Sequence, residues 1–306
     1  DGWEADDACT AVAIGRDRNV WLTGESHSND FPMLDAFCDQ HHGTGSGDVL
    51  VCKLNEHGLL RFSSYLGGSS HETAYDIDVD KHGDAWITGF SDSFDFPTPN
   101  SDAPHPPNRS RAVFVSKITS QGVLAWGYCF GAGSRNSGQG IAVDRALNVW
   151  VTGSIYSATL PTPGGFDHEV NGRDAYVARL TMRDGLVWAT YLGGSGSDSG
   201  RDIAVDRGGT IWVAGGTNSD DFPVKNGFAA TRPGGYSDGF LTRISRSGRL
   251  MWSSYIGGSD LDDAMALCTD KVGDVYVTGE TSSPDFPLAG DSGLPDAPCG
   301  YVLKID

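Results

Sequence analysis

The residues of this chain best suited to chemistry form a spaced column of acids: Asp7, Glu72, Asp198 and Asp262, with Asn136 in the remaining slot. Their numbers step by 65, 64, 62 and 64, so each holds the same place in a repeated unit. Four carboxylates and an amide are hard oxygen donors, and projected as a ring they would suit a structural cation such as calcium; no organic cofactor motif accompanies them. The same acids could in principle hydrolyse a glycoside, but equivalent positions do not separate two pKa values as an acid and a base require. A third reading needs no ligand. A short polar side chain there would accept backbone N–H groups in the turn before a strand.

Other candidates are subject to the same choice between turn and ligand. Asp30, Asp95, Asp221 and Asp285 each precede a Phe-Pro step, with Thr159 before Leu160-Pro161, and read as turn caps. Asp80, Asp144, Asp206 and Asp270 close apolar segments and read as hairpin acceptors; none fits the spaced acidic loop of an EF-hand. His41 and His42 lie near Cys38, a weak Cys/His metal candidate. Gly193-Gly194-Ser195-Gly196 has no following helix or lysine to make a phosphate cradle. Asn108-Arg109-Ser110 is a glycosylation acceptor only in a eukaryotic secretory pathway. Nucleophile elbows, Ser/His/Asp orders and nucleotide fingerprints are absent.

The elements that position these residues are strands. Four apolar segments recur per unit, clearest as Ile203–Asp206 (a), Ile211–Gly215 (b), Gly239–Ile244 (c) and Leu250–Gly258 (d). They are rich in β-branched and aromatic residues, alternate with period two and are separated by Gly-bearing turns, while no 3.6-residue stripe is sustained. Seven of the eight tryptophans fall in two columns. Trp21, Trp86, Trp150 and Trp212 stand in b, with Tyr276 in the fifth copy; Trp126, Trp188 and Trp252 stand in d, with Phe62 in the first. Large flat side chains repeated once per unit read as core, since each hides about 150–250 Å² against the next sheet. A sheet of about 64 residues per copy cannot cover both its own faces, so copies must stack, and radial stacking gives a β-propeller.

The motifs Tyr191-Leu192-Gly193-Gly194-Ser195, Asp202-Ile203-Ala204-Val205-Asp206, Ile211-Trp212-Val213-Ala214-Gly215 and Asp220-Asp221-Phe222-Pro223 resemble the β-propeller repeat named for seven-bladed propellers. That family is found mainly in secreted and cell-surface proteins of bacteria and archaea. The resemblance implies an all-β fold, with strand a lining the axis and d outermost, and no shared catalytic residues. Here there are five copies, over roughly 8–68, 69–132, 133–194, 195–258 and 259–306, read as a single five-bladed domain spanning residues 1–306. The last copy ends at strand c near Ile305, giving nineteen strands and one missing outer strand. The leader with Trp3, a neighbouring chain or a longer polypeptide could cover that edge.

Composition narrows the partners. A formal charge of −18, from 22 basic and 40 acidic residues, disfavours nucleic acid and anionic membranes, and no apolar run approaches the roughly 20 residues that span a bilayer. Six cysteines without zinc spacing, an acidic balance and a start at Asp1 suggest a mature or excised segment in an extracellular or cell-surface setting. A Cys38–Cys299 disulfide would tie the first copy to the last. These features lead to the expectation of a non-catalytic structural or interaction module, a filament subunit joined to other protein subunits by strand complementation. A glycan-binding propeller and a carbohydrate-active hydrolase are the rival readings.

Overall fold

The computed structural model describes residues 6–42, 46–102, 110–156, 158–287 and 298–306. Among them every regular element is a strand. The first sheet orders β1 (Asp7–Ile14), β2 (Val20–Ser26), β3 (Asp48–Leu54) and β4 (Leu60–Leu66). The second orders β5 (Glu72–Val79), β6 (Ala85–Ser91), β7 (Arg111–Ile118) and β8 (Leu124–Gly133). A third contains β9 (Ser137–Val143), β10 (Val149–Ile155), β11 (Asp174–Thr181) and β12 (Gly185–Leu192). The fourth contains β13 (Asp198–Val205), β14 (Ile211–Thr217), β15 (Asp238–Ile244) and β16 (Leu250–Ile256). The fifth has three strands, β17 (Asp262–Thr269), β18 (Val275–Thr281) and β19 (Cys299–Ile305). Each sheet is a meander of sequential strands, so the all-β, propeller-like architecture expected from the repeat is present.

The chain divides into two compact units, Asp1–Val149 with Leu180–Val187, and Trp150–Arg179 with Trp188–Asp306. In the first, Trp21, Val49, Phe62, Ala74, Ile87, Phe96 and Phe114 belong to one buried cluster. In the second, Trp212, Leu241, Ile256, Leu267, Val277 and Phe286 form another. The register explains the two tryptophan columns. Trp212 pairs with Arg243, which pairs with Trp252, so all three side chains share one face. The indoles of Trp212 and Trp252 meet with centroids 6.2 Å apart, and Trp86 meets Trp126 at 5.8 Å. The strand-c cation sits over the strand-b indole each time: Lys53 on Trp21, Lys117 on Trp86, Arg179 on Trp150 and Arg243 on Trp212, at 5.1 to 5.5 Å from the ring centre.

Aspartates on the first strand of a sheet link neighbouring sheets. Asp76 and Asp78 on β5 accept N–H bonds from Ile141 (2.8 Å) and Val143 (2.7 Å) on β9, and Asp202 on β13 accepts from Leu267 on β17 (2.7 Å). A second recurring device is a bulge in the strand-a to strand-b ladder, between Cys9 and Ala11, Ala74 and Asp76, Gly200 and Asp202, and Ala264 and Ala266. The extra residues are Thr10, Tyr75, Arg201 and Met265, and a bulge re-aims such a side chain out of the regular alternation. Opposite one bulge, a Cβ on Gly215 would lie 2.0 Å from the Ser199 carbonyl oxygen, so only a bare Cα fits there.

Candidate functional site

The spaced acids first meet their own turns. Glu72 accepts from Ser91 Oγ (2.7 Å) and Gly68 N (2.8 Å). Asp198 accepts from Thr217 Oγ1, Ser219 Oγ (2.8 Å) and Gly194 N (2.9 Å). Asp262 accepts from Ser283 Oγ and Gly258 N, both at 2.7 Å, and Asp7 from Ser26 and Ser28. Asn136 donates its amide N–H to the Gly131 carbonyl. Glu72, Asp198 and Asp262 therefore each tie the loop leaving strand d to the end of strand b. Among the described residues no group of three or more His, Cys, Asp and Glu is arranged to hold a metal ion.

A second set of acids, which the sequence reading did not single out, faces the first. Asp48, Asp174 and Asp238 open strand c and are buried, as are Glu72, Asp198 and Asp262. Members of the two sets converge over a glycine. A Cβ on Gly193 would lie 2.7 Å from Asp198 Oδ2 and 2.9 Å from Asp174 Oδ1, and Gly67 and Gly257 serve the Asp48/Glu72 and Asp238/Asp262 pairs in the same way. Burial, reinforced by the neighbouring acids and only partly opposed by the Asn171 N–H bond, pushes the Asp174 carboxyl up to about 7. Burial likewise lifts Asp238 to about 7 against the opposing Arg232 charge, and raises Glu72 and Asp198. The recurrence of Asp at the first position of strand c was the signal available in the sequence.

The second unit also holds a polar cleft of about 290 Å³, lined by Arg173, Ser199, Arg201, Asn218, Tyr236, Asp262, Asp263 and Glu280 among others. It holds an ion pair between the first strands of consecutive sheets. Arg201, the bulge residue of β13, reaches Asp263 Oδ2 on β17 with Nη2 at 2.9 Å and Nε at 3.2 Å. Asp263 Oδ1 is buried without a hydrogen-bond partner, and so are Asp262 Oδ1 and Arg173 Nε. Burial pushes the Asp263 carboxyl upward over the pull of Arg201, and the nearby Glu280 adds to the rise. Glu280 pairs with Asp263 across the β17–β18 ladder and is exposed.

The remaining candidates separate. Asp95, Asp221 and Asp285 each clamp a serine after the paired glycines, through both N and Oγ of Ser69, Ser195 and Ser259 at 2.7 to 3.0 Å. Asp80 caps its hairpin, accepting from His82 N and Trp86 Nε1. All six cysteines are free thiols, Cys38 and Cys299 among them, so the expected bridge is not formed in this structure. Cys38 Sγ lies 3.2 Å from the Gln40 carbonyl and 3.6 Å from His42 Nδ1 instead. Asn108 lies outside the described residues.

Residues 187–223 match the family model of the beta-propeller repeat. No curated protein matches the chain. Among solved structures it is similar to a protein of unknown function from Bacteroides caccae, at 11% identity over 90% of this chain and 71% of that one, with a TM-score of 0.47. It is also similar to a Xanthomonas campestris protein titled as a gluconolactonase, at 15% identity over 89% and 69%, with a TM-score of 0.44. A third, titled glucose dehydrogenase, has 10% identity over 89% and 93%, with a TM-score of 0.37. Against the expectation of a non-catalytic structural or interaction module, two of these neighbours are titled as enzymes. At such identities the likeness concerns architecture alone, and the chemistry of this chain rests on its own residues.

Proposed function

The chain is a beta-propeller-repeat protein, and on that premise we propose that its five sheets are the blades of one propeller, the fifth lacking its outermost strand. In the same reading, the cleft at Asp263 hydrolyses a C–O bond of a small hydroxyl-bearing substrate by acid–base chemistry. One observation carries the second part. Three buried polar atoms, Arg173 Nε, Asp262 Oδ1 and Asp263 Oδ1, belong to residues lining one cleft and have no protein partner, whereas buried polar groups in a finished interior are paired.

The roles follow from environment. Asp263 is the buried carboxyl whose proton affinity is raised, with Oδ2 fixed by Arg201 and Oδ1 unpartnered. It acts as general acid, passing its proton to the leaving oxygen. Glu280, exposed on the adjoining strand, acts as general base and takes a proton from the attacking water. The Arg173 guanidinium, steadied by Ser199 Oγ at 3.2 Å, balances negative charge developing on the substrate. Turnover of a panel of sugar lactones, acyl esters and aryl glycosides tests the reading. Asp263→Asn should lower kcat by about 10²-fold or more, and by less with nitrophenolate leaving groups, which need no proton. No turnover across the panel, or full activity in Asp263→Asn, would overturn it.

A further inference from the structure

One sheet junction holds two buried carboxylates whose hydrogen-bond partners among the described residues are all neutral donors: Asn171 N on Asp174, and Gly194 N, Thr217 Oγ1 and Ser219 Oγ on Asp198. Asp174 and Asp198 are 1% and 0% exposed. Asp174 Oδ1 has no hydrogen-bond partner, and it converges with Asp198 Oδ2 on the bare face of Gly193. Asp167 and Asp221 add further negative charge around Asp174. Among the described residues no Lys, Arg or His forms an ion pair with either acid.

The equivalent positions elsewhere in the repeat show how such a pair can be neutralised. In the Asp238/Asp262 pair, Arg232 Nη1 lies 3.0 Å from Asp238 Oδ2. Where β7 begins, the residue opposite Ser91 is Ala112, and the acid of the a-strand column is replaced by Asn136. The loss of one carboxylate thus accompanies the loss of the other. An isolated buried charge costs far more than a paired one, so two carboxylates kept together without a basic side chain are settled either by a bound cation or by holding a proton between them.

We propose that Asp174 and Asp198 bind one divalent cation of the calcium class, taking the part that Arg232 plays in the neighbouring pair. Hard oxygen donors and the absence of Cys or His ligands at this point suit such an ion, with water completing its shell. Asp174 and Asp198 adjoin the cleft-lining residues Arg173, Ser197 and Ser199 without lining the cleft themselves, and the proposal does not depend on the hydrolytic reading, because its test reads metal uptake and not turnover.

The test uses the whole chain, stripped of metal with chelator and titrated with calcium by calorimetry and thermal unfolding. The comparison is Asp174→Ala with Asp198→Asn, which reproduces the Ala112/Asn136 combination this fold already accommodates. The wild type should take up calcium and gain about 3 °C or more in Tm, and the double variant should fold and bind one fewer ion per chain. Unchanged stoichiometry in the double variant would overturn the proposal. So would a wild type that takes up no calcium, magnesium or manganese; if Asp174→Asn then raised its Tm, the pair would be sharing a proton instead.

Discussion

Removing the carboxylate of Asp202 should loosen β17 from β13 more than its partly exposed position suggests. Its two oxygens accept from Ile203 N and Leu267 N, each at 2.7 Å, so a single side chain joins two sheets through two backbone groups. A hydrogen bond to a charged acceptor contributes about 1.5–3 kcal/mol, giving roughly 3–6 kcal/mol for the pair. Burial, which raises the Asp202 carboxyl against those two bonds, offsets part of this gain. Asp202→Ala should therefore cost about 2–4 kcal/mol, partly because the Leu267 N–H is left without an acceptor. At about 2–4 °C per kcal/mol for a unit of this size, Tm should fall by roughly 4–16 °C. Asp202→Asn should cost at least as much, since an amide presents a donor to one of two N–H groups. Thermal unfolding gives the magnitude, and amide exchange at Leu267 gives the location. A Tm loss below about 2 °C together with unchanged protection at Leu267 would refute the assignment of Asp202 as an inter-sheet clip.

Two further outcomes follow from local geometry. Gly248→Ala should destabilise the fourth sheet by about 2–4 kcal/mol in denaturant titration, because φ is +84° and the added Cβ would lie 2.3 Å from Trp188 Nε1. Glu25→Gln should lower Tm most between about pH 4.5 and 6.5. Burial pulls the Glu25 carboxyl up, but hydrogen bonds from His71 and Thr73 outweigh it and bring it to about 2, so its contribution is present above 4.5 and lost as pH falls toward 2. The hydrogen bond to Glu25 raises His71, whose contribution is full below 6.5 and lost as pH rises through its folded value. A wild-type minus variant difference that does not shrink on the alkaline side would remove this pair as the cause.

The fold was largely legible because repetition exposes it. The Trp21 and Trp126 columns announce a core, and the hairpin aspartate Asp80 announces a turn; in the structure both Trp21 and Trp126 are buried and Asp80 caps its hairpin. The acid pairs were half legible. Glu72, Asp198 and Asp262 stood out through their spacing, but Asp48, Asp174 and Asp238 each lie 24 residues earlier in the sequence, and only strand packing brings them together. The aspartates that link sheets were hidden differently. Asp202 sits within an apolar alternation, and its second acceptor role is visible only once β17 lies beside β13.

The cleft at Asp263 shows why a repeated column alone is a poor guide to acid–base chemistry. A residue that recurs in every copy meets a demand every sheet shares, such as a turn, a bulge or a core contact. Chemistry needs neighbours that differ. The bulge position holds Thr10, Tyr75 and Met265 in three copies but Arg201 in the fourth. The position after the column acid holds Ala8, Thr73, Ser137 and Ser199, but Asp263 in the fifth. Each departure alone looks like drift. Together they are joined by two hydrogen bonds from Arg201 to one Asp263 oxygen, leave the other oxygen without a partner, and do so beside a cleft. In a repeat protein the informative residues are those that break the pattern in register with one another, and their pairing becomes visible only when consecutive sheets are packed.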